Sequence, residues 1–338
     1  MLGFLTRFVG KSTFRPKPDK RVRLELESLE ERNLPTAGIT HSGAVIFIQA
    51  TDKGDKVVIT RNDNGTPNNQ FDDSIKVQWT RGDTGQTSTS NFNMFAYQVV
   101  GDKLQPVVNV NWINFIGGAG ADKVWNNTDI QSTLLGKEGN DELHGGSAAD
   151  TIQGGHGSDK IYGGDGYDVM DANGTLANQG GADPSAIDYV YGGKGTDILY
   201  GGAKELNFLY GGDGWDHLYG GDFATNYLFG GDGNDVLRGG RYGAINFLYG
   251  GAGNDWMIGG FSNLGDAKTF NQMIDSKGKD TFVGGDRAFN YMHGVDGGAA
   301  GQEDVFVPAV IDSHDVIWAD ANDHVWDSAS GPYPVSPP

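Results

Sequence analysis

The stretch that decides the fold begins Gly192-Gly193-Lys194-Gly195-Thr196-Asp197, and the same unit, G-G-x-G-x-D-x-apolar-x, returns three times before Gly260. The later copies are Gly211-Gly212-Asp213-Gly214-Trp215-Asp216, Gly230-Gly231-Asp232-Gly233-Asn234-Asp235 and Gly250-Gly251-Ala252-Gly253-Asn254-Asp255. Glycines at fixed offsets indicate tight turns that need positive φ, and an apolar residue stands two positions after each Asp. Each unit therefore predicts one turn followed by one very short strand, which is the pattern of a repeat protein.

The spacing of the units predicts how they stack. Their Asp residues are 19, 19 and 20 residues apart, and between each pair lies a unit that keeps the glycine pair but carries Asn instead of Asp, at Asn207, Asn226 and Asn246. If each unit is half a coil, successive units turn at opposite edges and units two apart stack directly. We therefore predict an all-β fold, a right-handed parallel β-roll or β-solenoid, with Asp turns along one edge and Asn turns along the other.

The two edges call for different chemistry. Stacked strands lie about 4.8 Å apart, and two carboxylates about 5 Å apart repel by roughly 3 kcal/mol at an effective dielectric constant near 20. A column of aspartates therefore needs cations between its members. Ca²⁺ suits this position because it accepts several oxygen ligands in flexible geometry, and the glycine turns supply backbone carbonyls beside each carboxylate. The Asn edge can instead form a ladder of side-chain amides without any ion.

Each Asp or Asn lies four residues before a glycine pair, and this rule extends the two edges back to Gly117. One edge is predicted to hold Asp150, Asp168, Asp197, Asp216, Asp235 and Asp255. The other is predicted to hold Asp122, Asp141, Asp159 and Asp188, followed by the three Asn residues. Early repeats can thus bind several ions at both edges and later repeats at one, provided that Ala172–Gly181 makes no extra coil. The predicted metal ligands are these ten aspartates and the turn glycines Gly193, Gly195, Gly212, Gly214, Gly231, Gly233, Gly251 and Gly253.

The units resemble the nonapeptide of RTX (repeats-in-toxin, hemolysin-type) calcium-binding β-roll proteins, G-G-x-G-x-D-x-U-x. The resemblance implies a parallel β-roll, secretion from a bacterium and folding driven by Ca²⁺, with Asp side chains and turn carbonyls as ligands. This chain departs from the family pattern in its Asn-bearing alternate units of 10 or 11 residues. Beyond Gly260 the pattern continues more loosely, through Asn271, Asp280, Asn290, Asp304, Asp315 and Asp323.

The composition agrees with a turn-dense, cation-binding chain. Glycine accounts for 55 of the 338 residues, about twice its usual share of ~7%. The absence of cysteine excludes disulfides and thiolate metal sites. The net charge of −19 argues against nucleic acid or an anionic membrane as partner and favours cations. No apolar run approaches the ~20 residues that span a bilayer.

The chain is predicted to have four parts. Residues 1–38 form a cationic leader with eight Lys or Arg and five Asp or Glu. Its run from Leu26 to Pro35 resembles the LE-x-LE-x-R-x-L-P leader of planctomycete-type surface proteins, which implies export or sorting; a disordered cationic tail is the alternative. Residues 39–116 carry strand-like runs and are read as a small N-terminal β cap, or alternatively as a ligand-binding domain. Residues 117–310 form the roll, and residues 311–338 a C-terminal cap with a loose tail.

Aromatic residues flank the central Leu in the Asn-side strands Phe208-Leu209-Tyr210, Tyr227-Leu228-Phe229 and Phe247-Leu248-Tyr249. Alternation sends Leu inward and both rings outward, so two columns of rings are predicted on one sheet face. The columns either stabilise a thin sheet by stacking or provide an adhesive or carbohydrate-binding surface.

Motifs of catalysis are missing from the sequence. None of the seven histidines belongs to an H-E-x-x-H motif, and no G-x-S-x-G is present. We therefore predict that the chain is not an enzyme but a secreted, extracellular or cell-surface protein that binds calcium, with a structural or adhesive role. An extracellular polysaccharide and another surface protein are the candidate partners. The alternative is a polysaccharide-binding or polysaccharide-modifying enzyme on a parallel β-helix.

Overall fold

The computed structural model describes residues 38–62, 73–100, 103–108, 110–173, 184–262, 268–275, 277–294, 303–307, 315–319 and 323–325, with the backbone alone for 95–100 and 103–108. Across these residues every regular element is a β-strand, numbered here in chain order. The predicted all-β class is therefore confirmed. Residues 1–37 of the predicted leader, residues 174–181 and residues 326–338 lie outside the described residues.

Two long sheets contain nearly all of the described strands. In spatial order, the first sheet consists of β1 (Gly38–Ser42), β2 (Val45–Gln49), β8 (Trp112–Ile116), β10 (Ser132–Glu138), β12 (Thr151–His156), β14 (Val169–Asp171), β16 (Ile198–Tyr200), β18 (His217–Tyr219), β20 (Val236–Arg238), β22 (Trp256–Ile258), β24 (Thr281–Val283), β26 (Val305–Val307) and β28 (His324–Val325).

The second sheet consists, again in spatial order, of β27 (Val316–Trp318), β25 (Ala288–Gly294), β23 (Thr269–Asp275), β21 (Ile245–Ala252), β19 (Thr225–Asp232), β17 (Leu206–Gly214), β15 (Ile187–Gly195), β13 (Lys160–Gly166), β11 (Glu142–Gly146), β9 (Lys123–Asn127), β3 (Lys56–Asn62), β4 (Ser74–Thr80) and β5 (Thr87–Asn93). A separate antiparallel hairpin joins β6 (Phe95–Val100) to β7 (Lys103–Val108).

From β8 onward, consecutive strands alternate between the two sheets and each pairs in parallel with the strand two places further along the chain. In the second sheet, for example, Leu209 stands opposite Leu228, and Leu228 stands opposite Leu248. Each sequence unit is therefore half a coil and units two apart stack, as the spacing predicts.

The core between the sheets receives one apolar side chain from each short strand. Each short strand sends its central residue inward, so that Leu199, Leu209, Leu218, Leu228 and Leu237 are all 0% exposed. Full burial of one such side chain contributes roughly 1.5–3 kcal/mol. A core this thin leaves the turns and the outer faces to supply the remaining stability.

The N-terminal end of the coil stack is formed within residues 39–116. Strands β2 and β3 already pair in parallel with β8 and β9, which places the first coil in this segment. Strand β1 then pairs antiparallel with β2, and β4 and β5 extend antiparallel from β3. These strands cover backbone donors and acceptors that the first coil would otherwise expose. At the other end, β27 and β28 continue the parallel pairing.

The stacking is continuous across the insertion that follows Asp168. Strand β13 pairs directly with β15, and β14 pairs directly with β16. No coil intervenes between these pairs, so the assignment of alternate turns to alternate edges holds on both sides of residues 174–183.

Candidate metal centre

The aspartates of the first edge form one column, held by a repeated hydrogen bond. The backbone N–H of each Asp donates to Oδ1 of the Asp one coil further on, at 2.9 Å from Asp168 to Asp197 and 2.8 Å from Asp197 to Asp216. The same bond links Ser132, Asp150, Asp168, Asp197, Asp216, Asp235, Asp255, Asp280, Asp304 and Asp323. The predicted placement of six aspartates on one edge is confirmed.

The second edge begins with the same arrangement. Asp122, Asp141, Asp159 and Asp188 follow one another through N–H to Oδ1 bonds of 2.7 to 2.9 Å. The first member of this column is Asp55, which was not predicted from the sequence; its N–H donates to Oδ1 of Asp122 at 2.5 Å. The signal was present, because Asp55-Lys56-Val57 repeats the pattern of Asp122-Lys123-Val124 without the preceding glycine pair.

The rest of the second edge is an amide ladder, as the sequence predicts. Nδ2 of Asn207 donates to Oδ1 of Asn226 at 2.9 Å, and Nδ2 of Asn226 donates to Oδ1 of Asn246 at 2.8 Å. Asn226 also accepts from N–H of Gly221 at 2.9 Å and donates to its carbonyl at 3.0 Å. The ladder continues through Asn271 and Asn290. Both side-chain groups of Asn226 are satisfied without an ion.

The Asp columns differ because one oxygen in each of eight of their carboxylates remains without a hydrogen-bond donor. Buried Oδ2 atoms with no hydrogen-bond partner belong to Asp141, Asp150, Asp159, Asp168, Asp197, Asp216, Asp235 and Asp255. Their side chains are at most 2% exposed. A buried anionic oxygen without a hydrogen-bond donor is costly, so a cation is the partner that suits it.

The space beside these oxygens is open only because the first residue of each pair is glycine. A Cβ at Gly211 would collide with the Gly230 carbonyl oxygen and come within 2.5 Å of Oδ2 of Asp216. The same contacts recur around Gly192 and Gly230. Each gap is thus flanked by a carboxylate oxygen and a carbonyl oxygen from the next coil. An all-oxygen, anionic environment fits a hard cation such as Ca²⁺.

The eight glycines predicted as ligands lie in the turns directly before these aspartates. Gly193, Gly195, Gly212, Gly214, Gly231, Gly233, Gly251 and Gly253 have φ values from +116° to +144°. A Cβ at Gly214 would also collide with the carbonyl oxygen of Gly195 one coil earlier. The backbone conformation and the close approach of successive turns therefore both require glycine. Their role as carbonyl ligands stays a prediction.

Burial raises the pKa of the column carboxyl groups in the chain without metal. The pKa rises to about 6 for Asp122, Asp150, Asp197 and Asp235, to about 7 for Asp141 and Asp216, and to about 8 for Asp159 and Asp168. Loss of hydration is the largest cause in every case, and a neighbouring aspartate adds to it at Asp216. For Asp255 the value is about 9, with Asp275 as a further cause. A divalent cation would reverse this shift.

Two columns of rings lie on the outer face of the second sheet, as predicted. The longer column runs through Trp125, His144, Tyr162, Tyr191, Tyr210, Phe229 and Tyr249, and the shorter through Tyr189, Phe208, Tyr227 and Phe247. Tyr210 is 4.8 Å from Tyr191 and 4.9 Å from Phe229 between centroids, with planes within 6° of parallel. The ring faces are therefore covered by neighbouring rings, and the half-buried ring edges face outward.

A stack of two-strand parallel coils with buried aspartates along its turns defines a calcium-binding β-roll. Residues 135–170, 185–203, 207–225, 224–241 and 243–263 match the family model described as RTX calcium-binding nonapeptide repeat (4 copies). These segments are RTX repeats, and such repeats bind Ca²⁺, so the predicted resemblance and cofactor are confirmed. No curated protein and no solved structure matches the chain. None of the described residues forms a helix with the length and hydropathy needed to cross a membrane.

Proposed function

We propose that this protein is exported and that its roll folds on binding Ca²⁺ outside the cell, where it has a structural or adhesive role at the surface. One observation carries the proposal: each column places buried, donorless carboxylate oxygens one coil apart. Calcium would bind these oxygens in the folded roll far better than in the unfolded chain. Binding free energy then becomes folding free energy.

The ligands in this proposal come from the chain's own turns. The side chains of the ten predicted aspartates would hold the ions, together with carbonyl oxygens of the turn glycines. Calcium would supply only charge compensation, because it neutralises carboxylates that burial otherwise keeps protonated. The Asn ladder requires no such compensation, so the later coils would be loaded at one edge.

Removal and return of calcium test the folding part of the proposal. Dialysis against a chelator at pH 8 is expected to lower the thermal midpoint and reduce the β-sheet circular dichroism signal, and added Ca²⁺ is expected to restore both. Added Mg²⁺ serves as the control, because its preference for octahedral geometry suits flexible turns poorly. An unchanged midpoint in chelator would refute the proposal.

Export is supported by the predicted leader and by the chemistry of the columns. The calcium-free chain carries many carboxylates that repel one another, which favours an unfolded state where calcium is scarce. Fractionation of cells that produce the full chain or a variant lacking residues 1–38 tests this part. We expect the full chain outside the cell and the shortened chain inside; equal distribution would contradict a sorting role for the leader.

The structural or adhesive role does not involve catalysis in this proposal. The competing carbohydrate reading needs exposed ring faces on which sugar C–H groups can pack. In the columns those faces are occupied by neighbouring rings, which favours stabilisation of the sheet. Replacing Phe208, Tyr227 and Phe247 together by Ser is therefore expected to lower the thermal midpoint while retention on polysaccharide stays unchanged.

A further inference from the structure

One repeat unit carries a carboxylate where its neighbours carry glycine. The unit Asp275-Ser276-Lys277-Gly278-Lys279-Asp280 has the spacing of G-G-x-G-x-D but begins with Asp and Ser. Strand pairing places Asp275 one residue beyond the Tyr249–Ile274 pair, level with Gly250 in the coil before it. In the coil after it, Asp275 stands opposite Gly294. Both neighbouring coils thus have glycine at this position.

This substitution brings three carboxylates together. Oxygens of Asp255, Asp275 and Asp280 lie within 4.8 Å of one another, and all three residues are at most 2% exposed. Backbone groups fix one oxygen of each. N–H of Asp255 donates to Oδ1 of Asp280 at 2.8 Å, N–H of Gly251 donates to Oδ1 of Asp275 at 3.0 Å, and N–H of Asp235 donates to Oδ1 of Asp255 at 2.7 Å. The three groups are therefore held in place by the coil stack.

A second observation points to a ligand between them. Oδ2 of Asp255 is buried and accepts no hydrogen bond from an N–H or hydroxyl group, and the carboxyl group that it faces, that of Asp275, raises the pKa of Asp255. A Cβ at Gly250 would collide with Oδ2 of Asp275 and come within 2.5 Å of Oδ2 of Asp255. Around Gly230, one coil earlier, the corresponding contacts are with Oδ2 of Asp235 and a neutral carbonyl oxygen of Gly250. A carboxylate oxygen thus replaces a carbonyl oxygen at this one gap.

We propose that Asp255, Asp275 and Asp280 form a calcium site that is tighter than the other sites of the column and favours trivalent ions most strongly. The inference rests on the proposed calcium-dependent function and adds one distinct site to it. Ligand charge tunes calcium affinity, and a third carboxylate in a buried gap raises the local field without adding an exposed charge. The roll would then load at this gap at lower calcium concentrations than elsewhere.

The test compares the full chain with Asp275→Gly, which restores the residue of the neighbouring coils, and with Asp275→Asn, which keeps the shape and removes the charge. Asp232→Asn is the matched control, because Asp232 is an exposed acidic residue in a turn of the same edge. Calcium binding is followed by isothermal titration. Tb³⁺ binding is followed by luminescence excited through tryptophan, and Trp256 is next in sequence to Asp255.

In the full chain and in the control variant, we expect one class of tight calcium site with a stoichiometry near one ion per chain. In both Asp275 variants that class is expected to weaken by about tenfold or more, a ratio that corresponds to about 1.4 kcal/mol, while the remaining ions still bind and the roll still folds. Identical titrations of the full chain and the folded variants would overturn the inference and leave the proposed function intact. Absence of calcium binding in the full chain would overturn both.

Discussion

Replacing Asp216 by Asn should stabilise the roll in the absence of calcium and lose most of that gain in its presence. Oδ1 of Asp216 accepts from N–H of Asp197 at 2.8 Å, and an Asn side chain keeps that acceptor. Oδ2 has no donor, and both Oδ2 and the Gly230 carbonyl oxygen lie within 2.5 Å of the Cβ position of Gly211. An amide nitrogen at this position carries no charge and can donate to that carbonyl, much as Asn226 donates to Gly221 in the ladder on the other edge.

The magnitude follows from burial of the charge. The pKa of Asp216 is raised to about 7, against ~3.9 in an unfolded chain, and each pKa unit corresponds to 1.36 kcal/mol. Keeping the carboxylate ionised at pH 8 therefore costs the metal-free roll on the order of 4 kcal/mol, which solvent relaxation reduces. We expect Asp216→Asn to raise the free energy of unfolding by about 2–4 kcal/mol in chelator. With calcium at 100 times its Kd, the site of the wild-type chain contributes about 2.7 kcal/mol. The variant loses most of this contribution, so its gain over the wild type is largely cancelled in calcium.

Urea unfolding followed by circular dichroism, in chelator and in calcium at pH 8, measures both effects. Should the wild-type chain be unfolded in chelator, the triple variant Asp197→Asn, Asp216→Asn and Asp235→Asn is expected to gain β-sheet signal there. The reciprocal control is Asn226→Asp, which loses two buried amide donations and is expected to destabilise by roughly 3–5 kcal/mol in either buffer. An equal change in stability in chelator and in calcium would show that the carboxylate of Asp216 is not a cation ligand.

Four further outcomes are expected from the same structure. In chelator, the free energy of unfolding should fall as the pH rises from about 4 to 8. The column pKa values of about 6 to 8 let the folded chain bind more protons than the unfolded chain over that range. Urea midpoints at pH 5 and pH 8 measure this change, and a rise in stability with pH would contradict the prediction. In calcium, binding should release protons near pH 7, seen as a dependence of the titration heat on the buffer's ionisation enthalpy; no such dependence would argue against displacement of protons. Gly231→Ala should lower the thermal midpoint sharply, because φ is +120° and the new Cβ would collide with the Gly212 carbonyl oxygen. Leu228→Ala leaves a cavity in the core and should therefore cost about 2–5 kcal/mol with and without calcium. A loss of stability in only one of the two buffers would contradict this explanation for Leu228→Ala.

Most of the coil geometry could be predicted because its signals are local. Glycine pairs fix the turns, the Asp or Asn before each short strand fixes the edge, and the central apolar residue fixes the inward face. These signals place Asp197 and Asp216 in one column and Asn207 and Asn226 in the other, as the hydrogen bonds confirm. Asp55 was not predicted from these local signals, because no glycine pair precedes it.

The sequence by itself therefore determined the period, the parallel coils, the two edges and the choice of calcium. The tertiary structure alone decided which oxygens lack a donor, which ring faces are covered and where a third carboxylate enters the column. Asp55 meets Asp122 across 67 residues of chain, and Asp275 meets Asp255 only because their coils are in register. These facts depend on contacts between coils, and the turn chemistry of one unit carries no information about the side chain that the next coil will place against it.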